Sequence, residues 1–269
     1  MTSPAIPSAP PPPPTRALGA RVFDLLLWGG IAAVLVIGFM PTEMFKATLL
    51  FRNSENMRTY GADFTRPDWA NWAVYAKAMW LTIEMALWGT FLAVVIAIPM
   101  GLLASRNIAP FWIVQPMRWL LNAMRAVPDL VIGVFFTVAV GLSPFAGVMA
   151  LALNTGGVLG KLFSEAVEAV EPGPIEGVRA TGATRFHEVL WGVIPQVGPL
   201  WTSYGLYRFE SNARSATILG LIGAGGIGQL LFENLQAFAY REVSMIAVVI
   251  VVAVTAIDTL SQLMRKRLT

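Results

Sequence analysis

Arg208, Glu210, Asn212 and Arg214 stand inside residues 196–232, a segment that is otherwise apolar enough to cross a bilayer. A charge in such a place costs about 2.5–3.5 kcal/mol on insertion scales, so it faces a bundle interior or a wet passage rather than lipid. Two guanidinium forks suit a phosphate-like anion, which accepts paired N–H bonds. Glu210 between them equally suits an internal ion-pair network. The two roles are compatible: a lining paired at rest and exposed when an anion passes.

The second cluster is residues 176–195, EGVRATGATRFHEVLWGVIP. Glu176, Arg179, Arg185, His187 and Glu188 are concentrated here, with membrane-length apolar segments on both sides. Such an insert stands outside the bilayer, on the cytoplasmic face. Gly182 divides it into two short helical pieces, residues 176–181 and 183–191, and Pro195 closes it where the next apolar run starts. A short helix–turn–helix projecting from a membrane is shaped to fit a groove on a soluble partner.

Other motifs carry no chemistry of their own. Gly223, Gly225 and Gly228 satisfy G-x-G-x-x-G, but a dinucleotide site needs a strand before and a helix after in a soluble βαβ unit. With Gly220 and Gly226 they instead permit a bent, closely packed backbone beside a cavity, where non-helical chain is tolerated at membrane depth. In GGVLGK, Gly156 and Gly160 lie one residue too close for a nucleotide P-loop, and Leu162 stands where a hydroxyl would hold magnesium. No ATP site is expected in this chain. His187 followed by Glu188 does not make H-E-x-x-H, and a single histidine rules out a multi-histidine metal site.

The elements that must position these residues are membrane helices. The 269 residues are 56% hydrophobic and 13% charged, against about 25% charged in a soluble domain. The net charge of +3 is spread along the chain and does not suggest nucleic acid; with no cysteine, disulfides and thiolate metal sites are excluded. Residues 1–15 form a proline-rich tail, expected to be disordered and cytoplasmic. Residues 16–75 hold a first span over 22–40 and a polar external loop over 41–75, read as solvated chain with Trp69 and Trp72 at the interface. A cleaved signal peptide is the rival for the first span, disfavoured by its length and the lack of a small-x-small site. Residues 76–269 hold five more spans. The second covers 76–105, with a kink expected at Pro99. In the third, 111–126 hugs the cytoplasmic side as an amphipathic helix and 128–142 runs deeper. Asn154, Thr155 and two glycines interrupt the fourth, 145–163, and allow close helix contact. Six crossings put both termini and residues 176–195 in the cytoplasm, with basic residues flanking the first and last spans.

These blocks resemble the permease subunit of phosphonate ABC importers. The interval 176–195 is similar to the family's EAA loop: Glu176, Gly182 and Pro195 keep its spacing, while Gly177, Val178, Gly192 and Ile194 replace its alanines, isoleucine and leucine. Further likeness lies in RAVPDLV at 125–131, TGGVLGKLFSEAVE at 155–168 and YRFESNARSATILGLIGAGGIG at 207–228. Asn154 stands where the resemblance leads one to expect a histidine. The resemblance implies a type I importer transmembrane domain, all-α, with about six transmembrane helices and a cytoplasmic coupling helix. It implies an inner-membrane homodimer and two ATPase subunits, holding ATP and Mg, docked on Glu176, Gly177, Arg179, Ala180, Gly182, Ala183, Arg185, Phe186 and His187. It also implies an extracytoplasmic phosphonate-binding protein, and a substrate passage drawn from Arg208, Glu210, Asn212, Arg214, Asn154 and Thr155. The competing expectations are a permease for methionine or a quaternary amine, and an ion-coupled transporter, which would show inverted repeats and an uncompensated acid at mid-membrane.

Overall fold

The computed structural model describes residues 18–267. The proline-rich residues 1–15 lie outside that range, so the expected tail is not described. The chain divides into two compact units, Met1–Thr59 and Tyr60–Thr269. The first contains α1 (Leu18–Phe39), whose 22 residues suffice to cross a bilayer core of about 30 Å.

Residues 41–75, expected as solvated loop, are mostly exposed but contain short helices. Most of that stretch is helical: a 3₁₀ turn at Met44–Lys46, then α2 (Ala47–Arg52) and α3 (Ser54–Phe64). Local pairs one turn apart support it. Lys46 bonds Glu43, and the Thr59 hydroxyl donates to the Glu55 carbonyl at 3.0 Å. With six and eleven residues, these helices give a periodic pattern little length in which to show.

The second unit is built on α4 (Trp72–Leu103) and α7 (Pro144–Glu168). Along α4 the buried positions Tyr75, Met79, Thr82, Ala86, Gly89, Ala93, Ala97 and Gly101 recur every three or four residues, one stripe of a helix. The stripe is small-residue rich, which lets two membrane helices approach backbone to backbone. A Cβ on Gly101 would come within 2.8 Å of the Phe163 Cβ. The helix runs through Pro99 without a break.

α5 (Phe111–Ala126) and α6 (Asp129–Val140) are bent by 88° at the junction between them. Pro128 excludes the helical conformation from the residue before it, and Val127 is extended at φ −86°, ψ 124°. After α7 come α8 (Pro172–Ala180), a single turn α9 (Arg185–His187), a π-helical turn Glu188–Val193 and α10 (Ile194–Leu219). Two readings of the charged interval change here. Its second helical piece starts at Arg185 rather than residue 183, and Pro195 does not close it. The π turn shifts the hydrogen-bond register just before Pro195, so the helical path runs on into α10. A glycine-rich π turn, Gly220–Ala224, leads to α11 (Gly226–Gln236), bent by 60° from the helix before it, and α12 (Tyr240–Arg265) follows. Among the described residues, four helices are long and apolar enough to span a membrane, and the two bent pairs raise the total to up to six.

Candidate functional site

The polar residues of α10 separate onto two faces. Positions four apart share a helix face, and a step of two turns by about 200°. Arg208 and Asn212 therefore point one way, and Glu210 and Arg214 the other.

On the first face a buried chain of hydrogen bonds crosses three helices. Arg208 Nη2 donates to Thr155 Oγ1 of α7 at 3.3 Å. That hydroxyl donates to Asn212 Oδ1 at 2.8 Å, Asn212 Nδ2 to Thr90 Oγ1 of α4 at 2.9 Å, and Thr90 to the Ala86 carbonyl at 2.7 Å. Asn212 is 0% exposed and Thr155 1%, a depth at which an unpaired amide would cost about 1–3 kcal/mol. Each hydroxyl accepts on one side and donates on the other, so the chain has one direction: it starts at the cation and ends on a backbone carbonyl. Asn154, one residue before Thr155, uses its Nδ2 to hold the Val127 carbonyl at the α5–α6 bend, at 2.9 Å. Arg208 Nε and Asp129 Oδ1 are buried without a hydrogen-bond partner among the described residues.

On the second face the charges alternate. Glu210 Oε2 lies 3.4 Å from Arg265 Nη2 of α12, and Glu210 Oε1 lies 3.4 Å from Arg214 Nη2. Arg214 Nη1 lies 3.6 Å from Asp258 Oδ1, also of α12. Two acids and two guanidinium groups bind α10 to α12 with no net charge. Sequence reasoning missed Thr90, Asp258 and Arg265 as members of these groups. Asp258 had a signal, being the single charged residue within the last apolar run, residues 243–263. Thr90 had none, since one hydroxyl on a small-residue stripe looks like any other packing residue.

The glycine break is tight. Gly223, Gly225 and Gly226 have φ of 87°, 83° and 73°, a region closed to most side chains. A Cβ on Gly228 would collide with the Thr217 carbonyl, and one on Gly220 would lie 2.7 Å from the Gly225 carbonyl oxygen and the Gly228 Cα. The backbone crosses itself there, and Ile227 N donates to Thr82 Oγ1 at 2.9 Å. The glycines pack closely against neighbouring chain, as expected of a bent backbone.

At the other end of the unit, Gly182 turns the charged interval with φ 79°. Its two limbs are joined by a two-pronged bond, Arg179 Nε to Glu188 Oε1 and Arg179 Nη2 to Glu188 Oε2, both 2.9 Å. Hydrogen bonding to Arg179 holds the Glu188 carboxyl below the usual range and, reciprocally, raises the guanidinium. Glu176, Gly177, Arg179, Ala180, Gly182, Arg185, Phe186 and His187 are exposed, and Ala183 is half-buried. Phe186 is 70% exposed, a large apolar side chain held out to solvent. His187 Nδ1 lies 2.8 Å from the Thr184 hydroxyl. A cleft of ≈ 460 Å³ lies against the limbs, lined by Glu168, Glu176, Arg179, Arg185 and Glu188 among others. Gln196 braces the base of the loop, donating to the Gly192 carbonyl at 2.6 Å and accepting from Glu171 N at 3.1 Å. A similar brace lies at the C-terminal end of α7, where Glu168 Oε1 accepts from Arg118 Nη2 at 2.6 Å and Arg106 N at 2.7 Å.

A bundle of spans with interior charges and a braced, exposed turn is the architecture of a membrane permease. Residues 93–269 match the family described as binding-protein-dependent transport system inner membrane component, and the chain belongs to it. It is a multi-pass membrane protein of a transport system rather than an enzyme. It is 37% identical over 253 residues to the phosphite transport system permease protein PtxC of Stutzerimonas stutzeri, covering 91% of this chain and 92% of that one. A cryptic phosphonate transport system permease protein of Escherichia coli K12, PhnE2, is 57% identical over 118 residues, covering 44% of this chain and 97% of that one. The fold is that of the inward-facing MetNI methionine ABC transporter, with a TM-score of 0.63 at 21% identity over 72% of this chain and 96% of that one.

Proposed function

We propose that this chain is the membrane-spanning half of an ATP-driven importer that carries phosphonate-class tetrahedral oxyanions, phosphonate itself and phosphite or phosphate with it, into the cytoplasm. The observation that carries the substrate class is Arg208: one guanidinium N–H is spent on Thr155 and Nε is unpartnered in the interior. The names of the phosphite and phosphonate relatives support the same class. Asn154, Thr155 and Asn212 position this cation. Glu210 and Arg214 serve the passage from the opposite face by holding α12 to α10.

Two copies of the chain enclose the passage, and an extracytoplasmic binding protein delivers the anion. Two ATPase subunits, which hold the ATP and Mg, grip the exposed turn around Gly182. Both termini and that turn are cytoplasmic, and residues 76–269 form the permease core. When ATP draws the ATPases together, the turns carry the helices, the passage opens outward, and hydrolysis reverses it. The Arg179–Glu188 fork and the Gln196 brace make the turn stiff enough to transmit force.

The test is uptake by the transporter reconstituted with its ATPase and binding protein. Radiolabelled phosphite or methylphosphonate is expected to accumulate with ATP and to stimulate hydrolysis. Arg208→Gln is expected to abolish uptake while the subunits still assemble. Stimulation by methionine or a quaternary amine, and not by either anion, would overturn the substrate class.

A further inference from the structure

We infer that Asp129 is the resting counter-ion of Arg208 and sets how weakly a passing oxyanion is held there; this rests on the phosphonate-class reading of Arg208. Asp129 opens α6 immediately after the bend at Pro128. Its helix face is packed on α10. Ile132, three residues on, is buried in one cluster with Ala213 and Ala216, and a Cβ on Gly133, four residues on, would lie 2.6 Å from Leu219 Cδ2. Just before Asp129, the Val127 carbonyl is fixed to Asn154, the neighbour of the Thr155 that accepts from Arg208. The carboxylate thus stands at the junction of α6, α7 and α10, on a helix packed against the one that carries Arg208.

The pair is not closed. Asp129 Oδ1 and Arg208 Nε are both buried, and neither has a hydrogen-bond partner. A sealed fork would resemble the Arg179–Glu188 pair, with two bonds and no donor to spare. Here the two opposite charges lie on packed helices, and donors stay available to a third group. A site that must load and release needs binding strong enough to admit the ion and weak enough to let it leave. A bare buried guanidinium would trap an oxyanion, and a fully bonded one would ignore it. Asp129 supplies the repulsion that keeps residence short, acting on the substrate through Arg208.

Removing the negative charge leaves the guanidinium uncompensated, and at interior dielectric this strengthens anion binding by at least about tenfold. The experiment compares wild type, Asp129→Asn, Asp129→Glu and Asp129→Asn/Arg208→Gln in the complete transporter in proteoliposomes. Two readouts are taken: retention of radiolabelled phosphite without ATP or binding protein, and the maximal rate of ATP-driven uptake. In Asp129→Asn retention is expected to rise at least about tenfold while maximal uptake falls. The double variant is expected to lose the gained retention, and Asp129→Glu to stay near wild type in retention. Unchanged retention in Asp129→Asn, a gain that survives loss of Arg208, or tighter retention in the charge-conserving Asp129→Glu would each overturn the inference; the last applies even where the asparagine variant does not assemble. Failure of the substrate reading looks different: the wild-type transporter then takes up no phosphite at all.

Discussion

Asn212 shows how one amide can hold three helices at a single level. It accepts from α7 and donates to α4 while fully buried on α10. Asn212→Ala leaves two threonine hydroxyls to find new partners and is expected to destabilise the chain by about 1–3 kcal/mol, read as a fall in the thermal midpoint of the detergent-purified protein. Arg208 loses its positioned acceptor in the same variant, so uptake is expected to fall further than a matched Asn234→Ala, whose side chain bonds only its own helix at the Leu230 carbonyl. Equal effects would separate Arg208 from this network. Glu188 makes a second prediction at this scale. Its carboxyl titrates below the ordinary range because Arg179 bonds the charged form. The order the pair gives the turn is complete above the ordinary glutamate pKa and is lost as pH falls through the lowered value. Carbon-detected NMR titration of Glu188 should show the depressed midpoint in wild type and its return upward in Arg179→Ala.

At the scale of elements, two glycine turns act in different ways. Gly182 meets nothing within 4 Å of a built Cβ, but its φ is 79°. Gly182→Val is therefore a backbone fault, costing about 1–3 kcal/mol for a side chain forced left-handed. The bundle should stay intact while the ATPase subunit no longer co-purifies, or its hydrolysis no longer responds to substrate. Gly228 is the converse case. Its φ is ordinary, and a Cβ there would strike the Thr217 carbonyl. Gly228→Ala should open the α10–α11 crossing and lower thermal stability by more than Gly182→Val does. The reverse ranking would refute the assignment of strain to the one and close packing to the other.

Across the whole molecule, the α10–α12 network is the long-range tie with most consequence, because it joins the helix that carries Arg208 to the last span. Glu210 is 14% exposed and accepts from guanidinium groups of both helices. A double-mutant cycle on Glu210→Gln and Arg265→Gln should return a coupling of about 0.5–3 kcal/mol, whereas additivity would mean that α12 is held by apolar packing alone. The ion-coupled alternative required an acid at mid-membrane without compensation. Glu210 and Asp258 are both paired with guanidinium groups, and Glu84 of α4 accepts from Trp80 Nε1 at 2.6 Å.

The sequence by itself determined the class of fold and the parts of the mechanism that are local. Apolar runs set the spans, the charged interval around Gly182 marked the exposed turn, and buried charges near position 210 marked the interior. Each depends on composition within a window, which one chain reveals without partners. The short helices in residues 44–64 escaped because nothing in their pattern distinguishes them from solvated chain. Tertiary structure alone decided which polar groups meet. Arg208 and Arg214 lie six residues apart, yet the helical turn sends one to Thr155 and the other to Asp258. Asp129 came onto a helix packed against α10 because the chain bends by 88° at Pro128. Contacts between residues far apart in sequence depend on crossing angles and registers that are set by whole helices packing together.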